Sequence, residues 1–503
     1  MASASGRPAD LTGLIKAYDV RGVVPDPFGP QVARAIGAAF AEVVVLPGAS
    51  AEARRPSAVL GRDMRPSGPD LVAAFAEGLA LRGVDSVEIG LCSTDGLYHA
   101  SGALELPGAM FTASHNPAQY NGIKLCRSGA RPVGQDSGLE TIRMLAERYL
   151  DEGLPAPAAE PGERGEREML GEYAAFLRSL VDLSGVRRMR VVIDAGNGMA
   201  GLTAPAVLQT AAGLESLPLD VVPLYFELDG TFPNHEANPL EPENLRDLQA
   251  AVVAHGADVG IAFDGDADRC FIIDERGEPV SPSAITALVG LREVARERAA
   301  GRTPTVIHNL ITSQVVPDLL QAAGALTVRT RVGHSFIKAE MAARDAVFGG
   351  EHSAHYYFRD FFFADTGMLA AMHVLAAMGE GRTPDGEPIP LSVLADAYEP
   401  YAASGEINST VDDVVAARQR VVDAYVTQEG AGPVRVDELD GLTVSHWDAP
   451  PRWWFNLRAS NTEPLLRLNV EAADLDIMEK VRDDVLGLVR QGSAAHATPG
   501  GAR

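Results

Sequence analysis

Two short polar segments, far apart in the chain, carry residue types that together could transfer a phosphoryl group. The turn 112–117 reads TASHNP and offers the hydroxyl of Ser114, whereas 264–269 reads DGDADR and offers three carboxylates. Carboxylates at alternate positions repel one another unless a hard cation neutralises them, and Mg²⁺ is a cation that also bridges phosphate oxygens. The two segments therefore predict a phosphorylated serine beside a magnesium ion.

The serine and the aspartates each follow an apolar run. Ser114 comes after 110–112, and the Asn116-Pro117 turn favours a hydroxyl held outside regular structure. The aspartates begin where the run 259–263 ends, and ligands bind at the carboxyl ends of strands in open α/β sheets. Because a serine hydroxyl is a weak nucleophile, the prediction requires a base or a metal nearby.

Both segments also have interpretations without catalysis. Serine and asparagine are common in turns, and the aspartate cluster resembles the start of a calcium-binding EF-hand loop. That match fails at the sixth position, which needs glycine and holds Arg269, and the flanking runs are typical of strands. Arg269 could form a structural ion pair or bind phosphate, and we favour phosphate binding.

Three further features suit a sugar phosphate. The turn 350–355 reads GEHSAH and could bind sugar hydroxyls, while His334 stands at a predicted strand-to-helix junction, where it could exchange protons near neutral pH. The turn 458–464 reads RASNTEP and could surround a phosphate dianion with charge-assisted hydrogen bonds. Taken alone, each is also compatible with an ordinary capped turn or a structural histidine.

These turns need a scaffold that brings them together, and the alternation of apolar runs, polar turns and amphipathic stretches predicts an α/β fold. Three rounds of this pattern give predicted strands at 57–61, 85–90, 189–194, 259–263, 305–308, 327–332 and 346–349 and helices at 70–82 and from 199. The last part changes to strands at 406–408, 441–447, 453–457 and 465–471 with helices at 411–427 and 475–490. We therefore predict three similar mixed α/β domains and a smaller C-terminal α+β domain.

Proline-, glycine- and glutamate-rich stretches at 151–168 and 379–390 are typical of linkers. They place the predicted domains at 1–155, 166–277, 278–390 and 391–492.

Composition excludes several classes of partner. The 503 residues are too many for one core, and the net charge of -25 disfavours nucleic acid and anionic membranes. Three cysteines without metal-ligand spacing argue against a disulfide framework and a zinc site. The first ten residues lack an apolar segment, and no stretch has eighteen or so uninterrupted apolar residues, so we predict a cytoplasmic protein.

Taken in this order, the four turns resemble the α-D-phosphohexomutase family, most closely its bacterial phosphomannomutase/phosphoglucomutase branch. The supporting segments are AYDVRG at 17–22, GRDMRPS at 61–67, YNGIK at 120–124, NHEANP at 234–239 and GHS at 333–335. The resemblance implies four domains around a central cleft, each contributing one loop. It also implies an isomerase that interconverts hexose 1-phosphate and hexose 6-phosphate, with mannose or glucose as the sugar.

The resemblance further implies a role for each candidate residue. The implied catalytic residues are the phosphorylated Ser114 and the acid/base residues Lys124 and His334. The implied ligands of Mg²⁺ are Asp264, Asp266, Asp268 and the Ser114 phosphate. The implied substrate contacts are Tyr18, Arg21, Arg269, Glu351, Ser353, His355, Arg458, Ser460, Asn461 and Thr462. Hexose 1,6-bisphosphate is the implied intermediate and activator, hexose phosphates are the implied partners, and we expect a monomer or dimer.

Three departures from the family pattern bear on which sugar is bound. Ala354 replaces the usual glycine, His352 replaces the methionine of many relatives, and 309–313 lacks a lysine that relatives often carry. A phosphoglucosamine mutase is the nearest alternative, although it typically has glutamine at the position of His352. A metal-dependent phosphatase and a non-catalytic binding protein are the others.

Overall fold

The computed structural model describes residues 8–15, 18–48, 55–383, 385–427, 434–459 and 465–491. Within these residues the strands form four separate sheets, with seven strands in the first and five in each of the others. The three mixed α/β domains and the smaller α+β domain that the sequence predicts are confirmed.

The first domain is built on a mixed sheet. Its strands are β1 (Val20–Val23), β2 (Ser57–Arg62), β3 (Asp85–Leu91), β4 (Gly108–Phe111), β5 (Tyr120–Arg127), β6 (Arg131–Pro132) and β7 (Arg164–Glu166). Its helices are α1 (Pro30–Phe40), α2 (Leu46–Gly48), α3 (Gly68–Leu81), α4 (Thr94–Ala103) and α5 (Leu139–Glu152). β2 pairs in parallel with β3 and β4, and β5 runs antiparallel to β4. The predicted strands at 57–61 and 85–90 and the helix at 70–82 correspond to β2, β3 and α3.

The stretch 151–168, predicted as a linker, contains β7, which pairs in parallel with β3. All three residues of β7 are exposed. An open sheet edge offers unpaired backbone groups, so a polar segment can join it without apolar side chains. This explains why the hydrophobic pattern did not reveal the strand.

The second domain carries the aspartates. Its strands are β8 (Met189–Asp194), β9 (Leu219–Leu224), β10 (Val259–Phe263), β11 (Cys270–Ile273) and β12 (Pro279–Val280), and its helices are α6 (Leu170–Leu180), α7 (Ala200–Leu208) and α8 (Arg246–His255). All five residues of β10 are buried, and β11 returns antiparallel with Phe263 opposite Cys270. The turn between these two strands is 264–269.

The third domain repeats this arrangement. Its strands are β13 (Thr305–Asn309), β14 (Leu326–Thr330), β15 (Phe348–Gly350), β16 (Tyr356–Phe358) and β17 (Ala364–Asp365), and its helices are α9 (Pro282–Ala299), α10 (Val315–Ala322), α11 (His334–Arg344), α12 (Gly367–Glu380) and α13 (Leu391–Asp396). The strand predicted at 327–332 ends earlier, at Thr330, because the chain turns at Gly333 (φ +132°) into α11.

The fourth domain is an antiparallel sheet with two helices. Its strands are β18 (Ala402–Thr410), β19 (Arg435–Asp437), β20 (Leu442–His446), β21 (Trp453–Ala459) and β22 (Leu465–Ala472), and its helices are α14 (Val414–Val422) and α15 (Leu475–Arg490). The helix predicted at 411–427 is α14 followed by a wider helical turn at Asp423–Thr427.

The functional turns occupy equivalent places in the four domains. Each connects two neighbouring antiparallel strands: β4 to β5, β10 to β11, β15 to β16 and β21 to β22. In the first three domains the strand before the turn also pairs in parallel with another strand of its sheet. Repetition of one supersecondary unit thus presents one loop from each domain.

The apolar clusters show which domains are packed most closely together. The second and third domains share one continuous apolar cluster, while the first has its own large cluster and the fourth a separate one. A buried carboxylate also ties three domains together, because Asp95 accepts hydrogen bonds from Tyr173 Oη and Thr366 Oγ1, both at 2.7 Å. The fourth domain is therefore the most independent.

The helical segment Pro30–Gly48 is long and apolar enough to span a bilayer by length and composition, although polar residues interrupt it, and 56% of it is buried inside the protein. Its first part, α1, packs against α3 and α5. This packing accounts for its apolar composition.

Candidate active site

Ser114 lies in the loop after β4, where it contacts the second domain. Its Oγ donates a hydrogen bond to Asp264 Oδ2 at 2.8 Å. Its backbone has φ of +49°, and Ser114 N–H donates to Thr112 Oγ1 at 2.8 Å. This left-handed backbone is uncommon for residues other than glycine and marks functional loops. The structure thus brings together the two segments that the sequence predicts to meet.

Arg65 fixes the shape of the serine loop. Its guanidinium donates to the backbone oxygens of Ser114 (2.8 Å), Asn116 (2.6 Å), Pro117 (2.9 Å) and Tyr120 (2.8 Å). Its Nε donates to Asp63 Oδ2 at 3.1 Å, so all five N–H groups of a fully buried side chain are used. Arg65 therefore holds the backbone on which Ser114 is mounted.

Replacing Arg65 with methionine should lower the free energy of unfolding by about 3–5 kcal/mol, because Asp63 keeps a buried charge without its partner. Denaturation in urea would measure the change. The control is Arg62→Met, since Arg62 is partly exposed and its side chain makes one hydrogen bond among the described residues, at 3.4 Å to the Asp63 backbone oxygen. A loss below about 1 kcal/mol for the Arg65 variant would contradict this role.

Asp264, Asp266 and Asp268 form a buried cluster in the turn between β10 and β11. One carboxylate oxygen of each lies within 4.8 Å of the others. Lys124 Nζ, on β5, donates to Asp266 Oδ2 at 2.7 Å and to Asp268 Oδ2 at 2.6 Å. Thr94 Oγ1, at the start of α4, also donates to Asp266 Oδ2, at 2.7 Å.

The cluster fits a divalent cation with oxygen ligands. Asp266 Oδ1 and Asp268 Oδ1 are buried and have no hydrogen-bond partner among the residues that the structure describes. A buried acceptor without a partner is unfavourable unless something else binds it. Three converging carboxylates with spare oxygens have the chemistry that Mg²⁺ prefers.

The charges around the cluster explain its protonation. Burial raises the pKa of Asp264 to about 7, although Arg269 opposes the rise. Burial acts in the same direction on the other two aspartates. Lys124 and the Thr94 hydrogen bond together outweigh it at Asp266 and lower its pKa, and Lys124, His355 and Arg269 together bring the pKa of Asp268 to about 2. Burial alone would lower the pKa of Lys124, but the negative charges of Asp266 and Asp268 raise it well above its usual range. Lys124 is therefore protonated at neutral pH.

A cavity of about 330 Å³ opens beside this cluster and is lined by residues from the first three domains. The predicted site residues that line it are Tyr18, Arg21, Ser114, Lys124, Asp268, Arg269, His334 and His355. It is large enough to admit the reacting end of a small polar ligand.

Arg269 forms the ion pair that was one of its two possible roles, and it also lines the cavity. Its Nε donates to Asp264 Oδ2 at 2.9 Å, which is a buried ion pair, and its Nη2 lies 2.6 Å from His115 Nδ1. Burial, together with Arg269, lowers the pKa of His115 to about 3, so this ring is neutral and accepts the bond. Arg21 Nη1 donates to Asn116 Oδ1 at 2.6 Å, which places a second guanidinium at the serine loop.

Glu351 is the first residue of the turn 351–355, directly after β15. Glu351 Oε1 accepts hydrogen bonds from Asn309 Nδ2 and Gly333 N–H, both at 3.2 Å, and Oε2 accepts from Tyr357 Oη at 2.7 Å. His355 Nε2 lies 3.6 Å from Asp268 Oδ1, so this turn contacts the aspartate cluster.

Ala354 and His352, the two residues of this turn that depart from the family pattern, lie in different surroundings. Ala354 is buried with φ of +65°, so it adopts the left-handed backbone that glycine favours. His352 Nδ1 lies 3.0 Å from Ser283 Oγ and lines a separate cavity of about 260 Å³ between the third and fourth domains. Ser353 Oγ is 3.2 Å from His355 Nδ1.

His334 begins α11 and lines the cavity, with its ring 5.1 Å from that of Tyr18. Burial, with Lys338 adding to it, lowers the pKa of His334 to about 3. Its ring is neutral at pH 7, which favours accepting a proton over donating one.

The fourth-domain turn is described only in part. Arg458 Nη2 lies 3.1 Å from Glu406 Oε2, and Nη1 lies 3.9 Å from Asp440 Oδ2. Ser460, Asn461 and Thr462 lie outside the described residues.

Several residues that shape the site were not identified from the sequence. Besides Arg65 and Thr94, Lys338 and Asp365 form a buried ion pair of 2.5 Å, and Lys338 Nζ lies 4.2 Å from the centre of the Tyr98 ring. Asp365 also lines the cavity. The only signal for Arg65 was its place in the GRDMRPS segment, because its partners become neighbours only on folding.

Comparison with protein families covers nearly the whole chain. Models of the phosphoglucomutase/phosphomannomutase family match in succession: alpha/beta/alpha domain I at 12–150, domain II at 171–277, domain III at 281–401 and the C-terminal domain at 406–488.

Individual proteins agree with the family models. A phosphomannomutase of Salmonella typhimurium is 38% identical over 480 residues, covering 95% of this chain and 98% of its own. A Xanthomonas campestris protein with the name phosphohexose mutases is also 38% identical over 480 residues, covering 94% of this chain and 98% of its own. A crystal structure of a phosphoglucomutase/phosphomannomutase family protein from Burkholderia thailandensis superposes with a TM-score of 0.80 at 28% identity, covering 96% and 98% of the two chains. The chain therefore belongs to the phosphoglucomutase/phosphomannomutase family of hexose-phosphate mutases.

Proposed function

We propose that the protein interconverts the 1-phosphate and the 6-phosphate of mannose or glucose through a phosphorylated Ser114 and a hexose 1,6-bisphosphate intermediate. The observation that carries the proposal is the 2.8 Å hydrogen bond from Ser114 Oγ to Asp264 Oδ2, which joins a buried hydroxyl to a three-carboxylate cluster. Phosphoryl transfer depends mainly on positioning and charge stabilisation, and this site offers both.

The reaction would proceed in two mirrored halves. In the first, the bond between phosphorus and Ser114 Oγ breaks while the free hydroxyl oxygen of the hexose phosphate bonds to phosphorus. Neutral His334 would accept the proton of that hydroxyl, and protonated Lys124 would donate one to Ser114 Oγ. In the second, Ser114 Oγ takes the other phosphate, Lys124 recovers its proton and His334 returns its own to the sugar oxygen.

The aspartates have a supporting part in both halves. Asp264, Asp266 and Asp268, with the Ser114 phosphate, would hold Mg²⁺, and bound Mg²⁺ would neutralise charge on the transferring group. The unpartnered, buried oxygens of Asp266 and Asp268 support this ligand set. Arg269, paired with Asp264, adds positive charge at the cavity.

The rest of the substrate would be bound by the other loops. Glu351, Ser353 and His355 would bind sugar hydroxyls, and Tyr18 and Arg21 would support the bound substrate. Arg458, Ser460, Asn461 and Thr462 would bind the phosphate that is not reacting. The intermediate must turn around between the halves, and the separate core of the fourth domain supports a loop that can release and rebind it.

The experiment is a coupled assay of purified protein with mannose 1-phosphate, glucose 1-phosphate and glucosamine 1-phosphate, each primed with the matching hexose 1,6-bisphosphate and Mg²⁺. We expect turnover of mannose or glucose phosphate that depends on the bisphosphate activator. Activity on glucosamine phosphate alone would replace the proposed substrate, and release of inorganic phosphate as the main product would indicate a phosphatase.

We also propose a cytoplasmic location, a monomer or dimer, and the domain boundaries 1–155, 166–277, 278–390 and 391–492. The sheets support these boundaries to within a few residues. Each sheet contains the strands of one unit, apart from β7 at 164–166, which joins the first sheet, and β12 at 279–280, which joins the second. Helix α13, just past the last boundary, packs in the core that the second and third domains share.

A further inference from the structure

One side chain of the fourth domain contacts two separate parts of the candidate site. Asp440, just before β20, lies over the loop 331–333, which connects β14 to α11. Its Oδ2 accepts a hydrogen bond from Val332 N–H at 3.1 Å, and the same oxygen lies 3.9 Å from Arg458 Nη1. One carboxylate therefore contacts both the arginine proposed to bind phosphate and a backbone amide of the neighbouring domain.

The next amide of that loop is held by the proposed sugar-binding residue. Gly333 N–H donates to Glu351 Oε1 at 3.2 Å. Gly333 has φ of +132°, and a Cβ at this position would lie only 3.0 Å from Tyr18 Oη. Because the loop is confined in this way, a displacement of Val332 would be passed to Gly333 and then to Glu351.

The position of Asp440 follows that of its own domain. Asn456 Nδ2, on β21, donates to the Asp440 backbone oxygen at 3.0 Å, so Asp440 moves with the fourth sheet.

The hydroxyl of Tyr18, in the first domain, lies near the same loop. Burial raises the pKa of Tyr18, Arg331 opposes the rise, and the charges of Asp440 and Glu351 add to it. Both carboxylates thus act on one hydroxyl of the first domain, which shows how closely the three domains meet here.

We propose that Asp440 is a positioning residue that couples Arg458 of the fourth domain to Glu351 in the third. The inference rests on the proposed function, in which the fourth domain loosens its hold while the bisphosphate turns around. When the fourth domain shifts, Val332 loses its acceptor, and the loop is free to release Glu351. The phosphate end and the sugar of the intermediate would then be bound together while the fourth domain is in place, and freed together when the bisphosphate turns around.

The test compares Asp440→Ala with Asp437→Ala in the full-length protein. Asp437 also links the fourth domain to the third, through an ion pair with Arg329, but it contacts neither the loop 331–333 nor Glu351 in the described structure. We expect the concentration of hexose 1,6-bisphosphate needed for half-maximal activity to rise about tenfold for Asp440→Ala, because coupled binding is lost. For Asp437→Ala, a partly exposed pair, we expect less than about a twofold change.

A second variant separates the two contacts of Asp440. Asp440→Asn keeps an oxygen for Val332 N–H but loses the negative charge near Arg458, so it should recover part of the loss. Tyr357→Phe removes the 2.7 Å hydrogen bond to Glu351 from the other side. If Asp440 acts through Glu351, the effects of Asp440→Ala and Tyr357→Phe on kcat/KM should combine to less than their product.

Three outcomes would overturn the inference: equal effects of the Asp440 and Asp437 variants, effects of Asp440→Ala and Tyr357→Phe that multiply, or no change in activator requirement for Asp440→Ala. Any of these would leave the proposed function standing if Ser114→Ala is inactive. Full activity of Ser114→Ala would instead remove the proposed function itself.

Discussion

Ser114→Ala should reduce kcat for hexose-phosphate interconversion by about 10⁴-fold or more. Without Oγ the protein has no atom at this place to accept and return the phosphoryl group, and removal of a covalent nucleophile leaves only the residual effect of binding. The substitution removes the hydrogen bonds of Oγ with Asp264 and with His115 Nδ1, and it leaves the contacts of Arg65 with the loop backbone in place. The variant should therefore fold, and the coupled assay with mannose and glucose phosphates measures its loss.

The control is Ser128→Ala, which changes a serine in the turn between β5 and β6 of the same domain. It should retain activity within about twofold, because surface substitutions away from special features have small effects. Circular dichroism of both variants would show whether the fold is intact. A folded Ser114→Ala protein with more than a few per cent of wild-type turnover would remove Ser114 from the nucleophile role.

Asp266→Asn, or removal of divalent cations by a chelator, should lower kcat by about 10²–10³-fold. The amide keeps the shape of the carboxylate and can still accept from Thr94, but it removes a negative charge from the cluster. Lys124 would then face only one of its two carboxylate partners. Activity of the chelated wild-type protein should return on addition of Mg²⁺, and Asp266→Asn should require at least about tenfold more Mg²⁺.

Asp220→Asn is a matched control, since Asp220 belongs to the same domain but pairs with Arg190 at the surface. Its Mg²⁺ requirement should equal that of the wild type. Titration calorimetry with Mg²⁺ would separate a binding defect from a catalytic one. Full activity in chelator, or unchanged Mg²⁺ affinity of Asp266→Asn, would show that the cluster does not hold a catalytic cation.

Much of the fold could be predicted because local patterns determine it. β8 and β10 are apolar runs that end in polar turns, and the structure has them with the predicted bounds. α15 also matches, since its apolar face repeats regularly and Asp474 caps its first turn through Ile477 N–H at 2.9 Å. β7 was missed because it joins the sheet by backbone pairing without apolar side chains. The strand predicted at 327–332 extends beyond β14 because its alternating pattern continues through Val332, up to the turn at Gly333.

The site residues also fall into two groups, those that the sequence could identify and those that it could not. Ser114 and the aspartates carry chemistry in their own side chains and lie at strand ends, so residue type and spacing were enough to select them. Thr94 and Arg65 act through partners that only folding brings near; the contact of Thr94 with Asp266 spans 172 positions. Asp440 likewise depends on how the fourth domain packs against the third. Such residues require the tertiary structure.

The most direct test of the phosphoserine mechanism is to incubate the protein with ³²P-labelled hexose 1,6-bisphosphate and Mg²⁺, quench the mixture and map the label by peptide mass spectrometry. We expect one phosphate per chain on Ser114, which a hexose phosphate then removes at a rate that matches kcat. Label on another residue, or turnover with no phosphorylated protein, would contradict the mechanism.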